Sequence, residues 1–93
     1  MLNVFLLTYF TKKLDLVIVE NGNSITGIYG DYLKSIFKSI RVFSTQKEFL
    51  DEIMSNSFDI LLFDNEINDV ESTFLFIKDV HSKNPLIKII LFF

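Results

Sequence analysis

The sequence predicts a doubly wound α/β fold with a mostly parallel sheet. Residues 14–20, 58–64 and 86–93 contain short apolar runs without polar alternation, as expected of strands buried on both faces of a parallel sheet, and residues 40–43 are a further short candidate strand. The segments between these runs carry apolar residues at helical spacing. Strands that alternate with helices imply right-handed crossovers and helices on both faces of the sheet. The predicted order is therefore β-α-β-α-β-α-β.

The composition fits one small acidic domain. The chain has 93 residues, of which 49% are hydrophobic and 15% aromatic, so material for a core is ample. The net charge is −3 and the nine basic residues are scattered, so we expect no nucleic-acid binding. With no cysteine and one histidine, a metal site would need oxygen ligands and a hard ion such as Mg²⁺. The apolar runs are too short to cross a bilayer and no signal peptide is recognisable, so we expect a cytoplasmic protein without a membrane partner.

The chain divides into a short N-terminal segment and one domain. Residues 1–12 are interpreted as a leader or an extra strand of uncertain structure, and residues 13–93 as the domain. The first strand ends at Glu20, and Gly22 lies in the turn after it. Ser24 is a candidate N-cap for the first helix. One face of that helix is predicted to carry Ile25, Ile28, Tyr29, Tyr32, Leu33, Ile36, Phe37 and Ile40.

The second half of the chain repeats the pattern. Thr45 and Glu48 stand in the Thr-x-x-Glu arrangement of a capping box, which predicts the start of the second helix. The third helix follows a polar loop and ends before Pro85, which cannot continue a helix. Its apolar residues are Phe74, Ile77 and Val80, with Leu75 and Phe76 in addition. We expect part of this helix to face the core and part to offer a patch to a partner.

Asp64 ends an unbroken apolar run, residues 60–63. In an open α/β sheet, ligands and chemistry collect beyond the carboxyl ends of the central strands. A carboxylate at that place is a candidate nucleophile or metal ligand. The alternative is an ordinary solvated carboxylate at the end of a strand.

Three segments resemble the receiver domain of bacterial two-component response regulators. They are residues 17–21 (VIVEN), 58–64 (FDILLFD) and 84–93 (NPLIKIILFF), and the similarity covers residues 13–93. The resemblance implies a flavodoxin-like sheet of strand order 2-1-3-4-5, in which the first and third strands are neighbours. Glu20 and Asp64 would then meet at one edge of the sheet.

The resemblance also implies phosphoryl transfer from the histidine of a kinase or phosphotransfer protein. Asp64 would be the acceptor, since a positioned carboxylate can attack phosphorus when charge is neutralised. Mg²⁺ would supply that neutralisation, held by Glu20, Asn21, Asp64 and the backbone carbonyl of Glu66. The domain would act as a signalling module and not as an enzyme.

The sequence departs from the receiver pattern in four places. Asn21 stands where the second acid of the pair is usual, so Mg²⁺ binding is expected to be weak. Phe93 occupies the usual position of a Thr or Ser hydroxyl, and the loop after Asp64 lacks the usual Pro and Gly. In receiver domains a helix, a strand with a phosphate-binding lysine and a further helix follow the fourth strand, and the sequence of 93 residues does not include them.

That last departure predicts self-association. The fourth strand would form an exposed apolar edge, and such edges recruit other strands. We expect a homo-oligomer that covers this edge, most simply a dimer. Residues 2–10 folding across the edge, or aggregation, are the alternatives.

Three functions remain open from the sequence. The first is a phosphorylated receiver, with Asp64 as acceptor and Glu20 as a metal-site acid. The second is a phosphorylation-independent pseudo-receiver that serves protein interaction or dimerisation. The third is an unrelated flavodoxin-like enzyme fragment that binds a small anion, although the sequence contains no glycine-rich phosphate-binding motif.

Overall fold

The computed structural model of the protein describes residues 13–53, 57–64 and 70–92. Predictions made for residues 1–12 and for the loop that contains Glu66, and the prediction for Phe93, lie outside these residues. The described chain alternates four strands with three helices in the predicted order. These elements are β1 (Asp15–Val19), α1 (Thr26–Ile36), β2 (Ser39–Phe43), α2 (Gln46–Ile53), β3 (Ile60–Asp64), α3 (Val70–Lys83) and β4 (Lys88–Phe92).

The four strands form one parallel sheet in the order β2-β1-β3-β4. This arrangement confirms the predicted α/β class and is consistent with a flavodoxin-like fold. β1 pairs with β2 on one side and with β3 on the other, so β1 and β3 occupy the centre. The crossover between β2 and β3 therefore passes over β1, which brings residues more than 40 positions apart in the chain into adjacent strands.

Two hydrophobic cores lie on opposite faces of the sheet. On one face Val19 and Phe63 pack with Phe49 of α2 and with Phe76 and Val80 of α3. Phe49 is fully buried, and its ring meets those of Phe43, Phe58 and Phe76 edge to face, with centroids 5.6 to 5.9 Å apart.

The other face belongs to α1. Leu16 and Ile18 of β1 pack there with Ile25, and the partly buried Leu33 and Leu62 lie against them. Strand alternation separates the two sets, because successive side chains point to opposite faces. The helices consequently cover both faces, as a doubly wound fold requires.

The helical faces differ in part from the sequence prediction. Ile28 is 72% exposed, because the apolar stripe of α1 is wider than the strip of sheet that the helix covers. Phe74, one of the apolar residues at helical spacing in α3, is 68% exposed. The buried side of α3 runs through Thr73, Phe76 and Val80, and a residue directly after Thr73 is turned about 100° away from that side.

The start of α2 follows the prediction. The backbone N–H of Glu48 donates to the hydroxyl of Thr45 over 3.1 Å, which is the first half of the predicted capping box. Within the described parts of the chain, no helix has both the length and the apolar character needed to span a membrane.

Candidate functional site

The strand register places Glu20 beside Asp64. Val19 of β1 pairs with Phe63 of β3, and Glu20 and Asp64 are the next residues along the two strands. Neighbouring strands lie about 4.8 Å apart, so the two residues stand side by side at the carboxyl edge of the sheet. Alternation along the strands directs both side chains to the face that α1 covers.

Both carboxylates are buried. Glu20 has no exposed surface and Asp64 is 3% exposed. A charged group removed from water is tolerated only when hydrogen bonds replace its hydration. The structure provides such bonds from the segment that joins β1 to α1, and these bonds define the site.

Thr26 satisfies the carboxylate of Glu20. The Thr26 hydroxyl donates to Oε1 over 2.7 Å, and the Thr26 backbone N–H is 3.1 Å from each carboxylate oxygen. Thr26 is the first residue of α1, so Glu20 accepts from a backbone donor that the helix itself leaves unpaired. The negative charge also lies at the positive end of the helix dipole. Glu20 therefore caps α1 from six residues upstream.

Ser24 contacts Asp64 and does not cap the helix. Its hydroxyl donates to Asp64 Oδ2 over 2.5 Å, while the N-cap position is Ile25, which makes no side-chain cap. The predicted N-cap role of Ser24 is thus wrong, because Glu20 already holds the first backbone N–H of the helix. The sequence places hydroxyls four and six residues after Glu20, but this spacing does not reveal their acceptors.

The turn between Glu20 and Ser24 is tightly bent. Gly22 has φ of +64°, a left-handed conformation that glycine adopts without steric cost. The Glu20 backbone N–H donates to the Phe43 carbonyl over 3.0 Å, and the Gly27 N–H donates to the Asn23 carbonyl over 2.9 Å. Asn21 and Asn23 are exposed on the outside of the turn.

The oxygen atoms of the predicted ligand set suit a hard cation, but the two carboxylates are buried and not accessible to one in this conformation. The described residues contain no cluster of three or more acidic, histidine or cysteine side chains that could hold a metal. The structure brings Glu20 and Asp64 together, and Asn21 follows Glu20 directly with its side chain towards solvent. Carboxylate and amide oxygens are donors that Mg²⁺ accepts. Because both carboxylates are buried, a cation could reach them only after a conformational change at this edge of the sheet.

No protein-family model, no curated protein and no solved structure matches this chain. What can be said of its function therefore depends on the geometry of the acidic pair, on the fold, and on the resemblance carried by the sequence. The fold alone does not assign a function, since one fold hosts many.

Proposed function

We propose that the chain is a receiver-like cytoplasmic signalling module in which Asp64 accepts a phosphoryl group. The observation that carries this proposal is the position of Asp64. It ends the central strand β3 at the carboxyl edge of the sheet, beside the buried Glu20. The donor would be the phosphohistidine of a kinase or phosphotransfer protein, as the resemblance in the sequence implies.

The reaction requires one carboxylate oxygen of Asp64 as nucleophile. That oxygen forms a bond to phosphorus while the bond between phosphorus and the donor nitrogen breaks, and the electron pair leaves with the histidine. Bound Mg²⁺ would neutralise charge on the phosphoryl oxygens. Its proposed ligands are Glu20, Asn21, Asp64 and the Glu66 carbonyl. Thr26 keeps Glu20 in place, and Glu20 in turn fixes the start of α1 against β1.

Acetyl phosphate with Mg²⁺ tests the acceptor. Intact-mass analysis of the wild-type chain should find one added phosphoryl group, and Asp64→Asn should abolish it. Asp31→Asn is the matched control, because Asp31 is an exposed carboxylate on α1 and its variant should be labelled like the wild type. An unchanged wild-type mass at saturating donor, or labelling that persists in Asp64→Asn, would refute the proposal.

The position of β4, which is the last strand of the sheet among the described residues, favours a second candidate, a phosphorylation-independent interaction module that dimerises. Among the described residues, β4 is hydrogen-bonded to β3 on one side and to no strand on the other. Ile90 on β4 is 51% exposed and Leu86 just before the strand is 87% exposed. An apolar edge of this kind recruits another strand, and a second copy of the chain would supply one.

Light scattering after size-exclusion chromatography tests this candidate. Ile90→Glu should convert a dimer to a monomer, because it puts a charge beside the pairing edge. Val42→Glu is the matched control, since Val42 is similarly exposed on the opposite edge strand β2. A wild-type monomer at high concentration, or equal effects of both variants, would exclude pairing through β4.

A further inference from the structure

We propose that Ser24 is a latch that keeps the acidic pair closed, and that its hydrogen bond to Asp64 must break before Mg²⁺ or a phosphoryl donor can bind. This inference rests on the proposed function, because it describes how access to the same carboxylate is controlled. It assigns to Ser24 a positioning role, acting on the acceptor without taking part in the transfer.

The first support is the combination of burial and contact at Asp64. A phosphoryl acceptor needs an approach for the donor, yet Asp64 is 3% exposed. The Ser24 hydroxyl lies 2.5 Å from Asp64 Oδ2, a short distance typical of a hydrogen bond to a charged carboxylate. The described conformation is therefore a closed one, and Ser24 helps to hold it.

The second support is the way the turn is anchored. At its start, the Glu20 backbone N–H is bonded to the Phe43 carbonyl, which extends the pairing of β1 with β2. At its end, Ile25 is fully buried in the core beneath α1. Residues 21–24 lie between these two fixed points and are exposed or half-buried. The turn can therefore move without disturbing the core.

The third support is the independence of the two carboxylate contacts. Thr26 holds Glu20, and this contact belongs to the start of α1. Ser24 holds Asp64 across 40 residues of chain. Neutralising Asp64 with a cation or a phosphoryl group weakens the Ser24 bond and leaves the Thr26 bond in place. The expected response is thus release of residues 22–24 with α1 unchanged.

Competition for Asp64 decides whether removal of the Ser24 hydroxyl raises or lowers the affinity for Mg²⁺. The Ser24 hydroxyl and a cation both bind to Asp64, so the hydrogen bond stabilises the unoccupied site and opposes occupation. Removing the hydroxyl should therefore strengthen Mg²⁺ binding, by about tenfold for a hydrogen bond to a charged group whose loss is partly offset by water. If Ser24 had only a structural role, its loss would disorder the ligands and weaken Mg²⁺ binding.

Titration with magnesium chloride alone, followed through backbone amide shifts by NMR, measures the direction of this change in affinity. Ser24→Ala should bind Mg²⁺ about tenfold more tightly than the wild type, and Ser24→Thr, which keeps the hydroxyl, should resemble the wild type. Ser35→Ala is the matched control, since the Ser35 hydroxyl donates to the Tyr32 carbonyl within α1. Equal or weaker binding by Ser24→Ala would overturn the latch.

Hydrogen exchange in the wild-type chain tests the latch without any variant. Saturating Mg²⁺ should speed exchange of the Gly27 amide, whose N–H donates to the Asn23 carbonyl of the turn, and leave α1 from Ile28 onwards protected. Unchanged exchange in a chain that binds Mg²⁺ would overturn the inference.

Labelling by acetyl phosphate separates the two proposals. A wild-type chain that is phosphorylated, with Ser24→Ala no faster, defeats the latch alone. A wild-type chain that stays unphosphorylated at saturating donor defeats the acceptor function and the latch with it. Faster labelling of Ser24→Ala, at an unchanged final yield of one group, supports both.

Discussion

Replacing Thr26 by valine should destabilise the protein through one buried contact. Valine matches threonine in shape and in β-branching, so the change removes the hydroxyl and little else. The lost bond joins the Thr26 hydroxyl to Glu20 Oε1 over 2.7 Å, at a carboxylate with no exposed surface. A hydrogen bond to a charged group is worth about 1.5–3 kcal/mol. The backbone N–H of residue 26 would remain bonded, so we expect about 2 kcal/mol.

A loss of about 2 kcal/mol should lower Tm by roughly 8–16 °C in a domain of this size. Circular dichroism is the suitable probe for urea and thermal unfolding, since the chain contains no tryptophan. Thr26→Ser is the matched control, because it keeps the hydroxyl and should lose less than half as much. A valine variant within 0.5 kcal/mol of wild type would mean that Glu20 is satisfied in some other way, and the capping argument would be refuted.

Four further changes test helix propensity and packing. Gly30→Ala should raise the free energy of unfolding by about 0.5–1 kcal/mol, since alanine favours helix and its Cβ would meet its nearest neighbour at an ordinary 3.5 Å; Gly27→Ala should gain less, because Asn23 Cβ lies at 3.2 Å. Thr73→Val should stabilise by about 1 kcal/mol, because the buried hydroxyl of Thr73 has no partner among the described residues. Phe49→Ala should destabilise by about 3–5 kcal/mol through the cavity it leaves. Urea unfolding measures all of these, and a destabilised Thr73→Val would show that its hydroxyl is bonded after all.

The sequence was sufficient to predict the fold and the position of the acidic pair. The uninterrupted apolar run that ends at Asp64 indicated a central strand, and β3 is such a strand. The run that ends at Glu20 indicated a second buried strand, and the resemblance to receiver domains implied that the two strands are neighbours. These predictions succeed because burial on both faces leaves a strong pattern in the sequence, and because alternating strands and helices permit few topologies.

The partners of polar groups could not be predicted in the same way. Ser24 has the composition of an N-cap, yet its hydroxyl reaches a strand 40 residues away. The Glu20 carboxylate already accepts from the first backbone N–H of the helix, so two acceptors compete for that donor and the outcome depends on the three-dimensional structure. The exposure of Phe74 could not be predicted either. Helical periodicity identifies the apolar face of α3, but it does not decide whether a residue at the margin of that face is buried or exposed.

The central position of β1 has a consequence for the time at which the protein can fold. β1 is the first described strand to be synthesised, but one of its two neighbours, β3, is complete only when residue 64 has been added. Every strand pairing in the sheet joins distant parts of the chain, which slows folding relative to local contacts. During synthesis on the ribosome, β1 therefore cannot complete its strand pairing until most of the domain has been made. In that interval only α1 and β2 are available to bury its apolar side chains.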